Sequence, residues 1–171
     1  SPYRDNARRG VPSAHLPATA FVDFLQNHDQ IGNRAFGERL SVLASQAAVE
    51  ALLAVLLLSP HTPLMFMGEE WGETHPFCYF TDFHGELGNA VREGRRNEFA
   101  KWSMFSNPAN REKIPDPNAP ETFESPRPDW QSLKHEPHRR TLDQTKRLLE
   151  LRRRLIAPRL NGLAGGSGQA I

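Results

Sequence analysis

Two short apolar runs, one long apolar repeat and one amphipathic repeat organise the chain. Phe21, Val22, Phe24 and Leu25 form a run broken only by Asp23, which predicts a strand over Phe21 to Leu25. From about Gly37 to Ser59, Leu40, Leu43, Ala44, Ala47, Ala51, Ala54, Val55 and Leu58 recur at three- and four-residue steps, with Gln46 and Glu50 opposite. That spacing predicts a helix apolar around most of its circumference, which needs cover on more than one face. Pro60 and Pro63 stop it, and Pro63 to Met67 reads as a second buried strand. A third helix is predicted over Thr141 to Ile156, with Leu142, Leu148, Leu149, Leu151, Leu155 and Ile156 as its apolar set and Pro158 as its end.

The rest of the chain reads as connection. Residues 73–138 are a long, mostly irregular excursion with one helical segment near Asn89 to Trp102 and a proline-punctuated loop, "SNPANREKIPDPNAPETFESPRP". Residues 1–20 read as a loop or arm, and residues 161–171 as a flexible tail.

Strand, helix, strand is a βαβ unit, so its strands should run parallel with a right-handed crossover. Two polar clusters, Asn27-His28-Asp29-Gln30 and Gly68-Glu69-Glu70-Trp71-Gly72, then follow the two strands at one carboxyl-terminal edge. Ligand sites of α/β barrels and open parallel sheets lie at that edge. A single βαβ unit does not close a core, which implies a larger sheet to which these elements belong.

Composition narrows the chemistry. The chain has 171 residues with 21 Lys and Arg against 20 Asp and Glu, a formal charge of +1. The basic excess of a nucleic-acid binder is absent, and a neutral substrate is compatible with the balance. Cys78 is the only cysteine, so an intrachain disulfide and a cysteine-rich zinc site are excluded. His61, His75, His84, His135 and His138 are scattered without a zinc spacing, and the Gly-rich tail lacks the Lys and Ser/Thr of a phosphate loop. No metal, cofactor or nucleotide is therefore expected. The longest apolar stretch, Ala47 to Leu58, contains Glu50 and is too short to span a bilayer. The expectation is a soluble, cytoplasmic protein with no membrane partner. Since the chain opens on Ser1 rather than Met, it is also expected to be a piece of a longer polypeptide.

Asp29 leads the candidates. An aspartate just after a strand is often a cap or turn residue, but Asn27, His28, Gln30 and Arg34 crowd the same place. Together they offer donors and acceptors for several hydroxyls. Glu69 and Glu70 are adjacent, so they cannot both flank one scissile bond, and a structural role is favoured for each. Trp71 is equally a sugar-stacking platform or a core residue. The run Arg152-Arg153-Arg154 is expected on a solvated face near a helix C-terminus.

The strings "FLQNHDQIGNRAFGERL", "PLMFMGEEWGETHPFCYFTDF" and "VREGRRNEF" together resemble the malto-oligosyltrehalose trehalohydrolases, a branch of the α-amylase family of (β/α)8-barrel glycoside hydrolases. The resemblance implies a partial TIM barrel, an α/β fold in which residues 1–160 supply strand seven, helix seven, strand eight and helix eight with long inserted loops. Residues 161–171 would lead toward a C-terminal domain. It implies hydrolysis of the α-1,4 bond next to the terminal trehalose of maltooligosyl trehalose. Asp29 would be the transition-state stabiliser, with Asn27, His28, Gln30, Arg34, Glu70 and Trp71 as substrate-binding candidates. The family's nucleophile and general acid lie on strands four and five, and no stretch here matches either. The chain alone is therefore expected to be inactive without the N-terminal part of the barrel. The alternatives are an amylase-family glucan transferase, such as a branching enzyme, and a non-catalytic carbohydrate-binding remnant.

Overall fold

The computed structural model of the chain describes residues Gly10 to Gly166. The parts of the arm and tail readings that fall on residues 1–9 and 167–171 lie outside the described residues.

Strands β1 (Val22–Asp23) and β2 (Thr62–Pro63) pair in parallel, Val22 opposite Thr62 and Asp23 opposite Pro63. The Thr62 N–H donates to the Phe21 carbonyl at 3.0 Å and the Leu64 N–H to the Asp23 carbonyl at 2.8 Å. Pro63 falls between these donors, where its missing N–H costs no bond to β1. Both strands are shorter than the apolar runs predict, and β2 begins one residue before the run. Beyond Leu64 the backbone groups are committed elsewhere: the Phe66 N–H donates to Glu69 Oε2 and the Met67 carbonyl accepts from Arg39.

Helix α1 (His28–Gly32) follows β1 at once. The single helix expected over Gly37 to Ser59 is two, α2 (Leu40–Leu43) and α3 (Gln46–Leu58). The backbone is extended at Ala44 and Ser45, and Ser45 Oγ accepts from the Ala48 N–H at 3.3 Å as an N-cap. The apolar periodicity runs straight through this break, because Ala44 keeps the repeat while Ser45 sets the boundary. Leu53 and Leu57 of α3 pack with Leu148, flanked by Leu25, Ala54 and Met65. Leu52, Val55 and Leu58 on the same helix are exposed, as are Val22, Phe24 and Leu64 beside the strands. One face of each element is covered and the other is open.

The excursion is more ordered than its composition predicts. Its helix α4 runs over Gly85–Glu98, earlier than expected, and short helices α5 (Pro108–Arg111) and α6 (Pro120–Glu124) follow. Asn118 ties it together, accepting from Thr81 Oγ1 at 2.7 Å and the Phe83 N–H at 3.0 Å, and donating to the Gly88 carbonyl. Phe99, Phe105 and Ile114 form a second core with Ala35 and Phe36 against it.

Helix α7 (His138–Leu151) continues through a π-helical turn (Arg152–Ile156) into α8 (Ala157–Leu160). Pro158 does not end the helix as expected, since it sits in the first turn of α8, where a missing N–H is tolerated. The arginine run is also divided. Arg153 pairs with Glu150 at the surface, at 2.8 Å. Arg152 instead donates to the carbonyls of Leu57 and Ser59, which the end of α3 leaves unpaired, and to that of His61 on the approach to β2. No helix among the described residues is long and apolar enough to cross a membrane.

Candidate functional site

The two segments leaving the carboxyl ends of β1 and β2 form one rim. The Leu40 N–H donates to Gln26 Oε1 at 2.9 Å, which folds the α1–α2 connection back on the end of β1. Arg39, 1% exposed, then crosses to the second segment, its guanidinium donating to the Met67 carbonyl at 2.7 Å and the His75 carbonyl at 2.5 Å. The Phe77 N–H reaches the Gly37 carbonyl at 2.8 Å. Gly37 has φ of 64°, and a Cβ there would lie 2.5 Å from the Phe77 carbonyl carbon. Only glycine permits that approach.

Glu73 anchors the second segment. Oε1 accepts from the N–H groups of Thr74 and His75, and Oε2 from that of Asp129 at 2.8 Å. Burial alone would raise this carboxyl, but the three backbone donors outweigh it and hold it below the usual carboxylate range. Its backbone carbonyl accepts from Ser41 Oγ. Gly68, at φ 86°, passes so close that an added Cβ would sit 2.5 Å from Glu73 Cβ. Sequence reasoning gave Glu73 no role, and a lone glutamate among turn residues carries no signal of one.

Of the adjacent glutamates, Glu69 is buried and Glu70 half-buried. Burial pushes the Glu69 carboxyl up to about 7, with Glu70 adding to the rise and the Phe66 N–H and Arg39 opposing it. Glu69 Oε1 has no hydrogen-bond partner among the described residues, which agrees with a carboxyl that is easily protonated. Trp71 is 3% exposed, its ring 5.0 Å from that of Trp130 and its carbonyl 3.0 Å from His138 Nδ1. It stands in the packing between the rim and α7, bordering a cavity of about 230 Å³ with Gly72, Thr74 and Thr141.

The Asn27–Gln30 cluster has the opposite character. Asn27 Oδ1 accepts from the Gln30 N–H at 3.0 Å and caps α1. The capping role open to Asp29 is thus filled by Asn27, and Asp29 stands in the first turn with its side chain 72% exposed. His28 is 69% exposed and its Nε2 lies 3.3 Å from Asp29 Oδ1. One turn on, Arg34 Nε pairs with Glu38 Oε2 at 3.2 Å.

Arg95 of α4 fixes this rim from behind. Its buried guanidinium donates to the Gly32 and Arg34 carbonyls, pairs with Glu98 at 2.9 Å, and lies 4.7 Å from the Phe99 ring centroid. The string "VREGRRNEF" contained it, but nothing in the spacing said which arginine turns inward. A cavity of about 480 Å³ opens beside Gln30, Asn33 and Arg34. Phe36, Phe99 and Trp102 also line it. Gln30 and Arg34 therefore line this cavity and His28 and Asp29 stand exposed on α1 beside Gln30, whereas Trp71 lies in packing and Glu70 is half-buried on the other segment. Among the described residues no group of three or more His, Cys, Asp or Glu side chains is placed to hold a metal ion.

No protein-family model matches the chain. Malto-oligosyltrehalose trehalohydrolases from Deinococcus radiodurans, Arthrobacter ramosus and Brevibacterium helvolum are 47%, 43% and 44% identical to it over 145, 156 and 151 residues. These matches cover 85%, 91% and 88% of this chain but 24%, 26% and 25% of the relatives. The chain thus spans about a quarter of the length of the curated relatives it matches. A crystal structure described as a putative alpha amylase from Salmonella typhimurium superposes with a TM-score of 0.82 at 52% identity, covering 91% of this chain and 25% of that one.

Proposed function

Because the chain belongs over most of its length to the malto-oligosyltrehalose trehalohydrolase family, we propose that it supplies one edge of a retaining glycoside hydrolase site. On this reading residues 1–160 are the C-terminal portion of a (β/α)8 barrel, β1 and β2 being strands seven and eight. Helix seven is α2 with α3, and helix eight is α7. Residues 161–171 lead toward a further domain.

The reaction is hydrolysis of the α-1,4 bond next to the terminal trehalose of maltooligosyl trehalose, releasing trehalose. Asp29 carries it as the transition-state stabiliser. Its carboxylate accepts hydrogen bonds from ring hydroxyls, and such bonds to the 2-OH strengthen as the sugar flattens toward a positive oxocarbenium ion. His28 lies beside it on the same sugar, while Gln30 and Arg34 meet neighbouring hydroxyls. Asn27 sets the turn that presents them. The nucleophile and general acid, carboxyls ~5–5.5 Å apart in retaining enzymes, come from outside these residues, so the chain alone does not turn over substrate.

The observation that supports this best is the placement of Asp29, uncapped and open at the carboxyl edge of two parallel strands. The relatives' names supply the substrate. Incubating the complete gene product with maltooligosyl trehalose tests it: free trehalose is expected. Maltooligosaccharides or branched glucan without trehalose would overturn the reading in favour of an amylase-type hydrolase or a transferase.

A further inference from the structure

The turn that follows α4 has no part in the chemistry assigned to Asp29, yet it closes the 480 Å³ cavity beside it. That volume falls in the ~300–1,000 Å³ range of small-molecule sites. Phe99 and Phe105 of this turn are buried against Ile114 and Phe36. Trp102 is 59% exposed. Its exposure is not that of a frayed loop, since the Trp102 N–H donates to the Phe99 carbonyl at 3.0 Å and the Phe105 N–H to the Trp102 carbonyl at 2.8 Å. The indole is carried on a fixed turn before any ligand arrives, which lowers the ordering cost of binding.

The polar part of the lining is electrically balanced. Gln30 and Asn33 present amides, and the Arg34 guanidinium is matched by Glu38 at 3.2 Å. A charged ligand finds no uncompensated partner there. A neutral ring with hydroxyls on its edge and C–H groups on its faces matches both kinds of lining: apolar face for the indole, hydroxyls for the amides and the Arg34–Glu38 pair.

We propose that this cavity is a glucose-binding subsite next to the sugar held at Asp29, with Trp102 as its stacking platform. This rests on the glucan reading of the Asp29 rim.

Binding is measured separately from turnover. Isothermal titration of the complete gene product with maltoheptaose, in an Asp29→Asn background that prevents hydrolysis, gives the reference affinity. Trp102→Ala is expected to weaken binding roughly three- to tenfold, the scale of one lost aromatic contact, and Trp102→Phe to weaken it less because a face remains. Equal affinities for the reference and Trp102→Ala, or no maltoheptaose binding by the reference, overturns the subsite. Trp102-dependent binding in a protein that releases no trehalose sinks the proposed reaction and leaves the subsite standing. Trehalose release with binding indifferent to Trp102 does the reverse.

Discussion

Two polar clusters sit on one rim and differ in almost every physical respect. Around Glu73 and Arg39 the charges are buried and held by backbone groups: three N–H donors on the carboxylate and two carbonyls on the guanidinium. Around Asp29 the charged group is open to solvent and the helix cap belongs to its neighbour Asn27. A buried carboxylate held by three backbone donors fixes shape, whereas an exposed carboxylate paired, among the described residues, only with His28 keeps lone pairs for something that arrives. The first cluster is a frame, and the second, on the proposed reading, is where substrate is met.

Substitutions that hit one cluster and spare the other sharpen this contrast. Asp29→Asn in the complete gene product should lower kcat by at least roughly a thousandfold while leaving the unfolding midpoint nearly in place, because in the proposed reaction it removes a charge used in the transition state. A drop in stability of the same variant would move Asp29 into the frame. Glu73→Ala should do the opposite, costing about 3 kcal/mol in a denaturant titration by orphaning three N–H groups and leaving Arg39 less compensated. A melt unchanged by that substitution would break the division.

Glu69→Gln gives the smaller, pH-dependent effect. The folded-state carboxyl stands at about 7 against an ordinary 4.5. Its contribution is therefore fully present below 4.5 and is lost as pH rises through about 7. The Gln variant should show a flatter stability profile across that window and exceed the parent at pH 8 by up to about 3 kcal/mol. Parallel pH profiles for the two proteins would show that the carboxyl is not held up.

The sequence disclosed the exposed cluster better than the buried frame. A polar quartet after an apolar run is visible in one dimension, and the parallel order of the two strands follows from the helix between them. What stayed hidden was decided by long-range hydrogen bonds. The split at Ser45 interrupts a periodicity that never falters. The excursion from 73 to 138 looks irregular because proline and asparagine mark turns, and it is Asn118, reaching back to Thr81 and Phe83, that gives it order. Arg95 and Trp102 looked like ordinary members of a helix, since burial of one and exposure of the other depend on the packing of Phe99 and Phe105. Trp71 was an even choice between platform and core, and the ring sits in packing.

Arg152 has a practical corollary. Its side chain links the far end of α3, the approach to β2 and the π-helical turn through one guanidinium. Anyone shortening this polypeptide from its C-terminal side should cut beyond Ile156. A cut at Leu151 would leave a helix of respectable length while withdrawing the clasp that keeps the crossover seated on its strand.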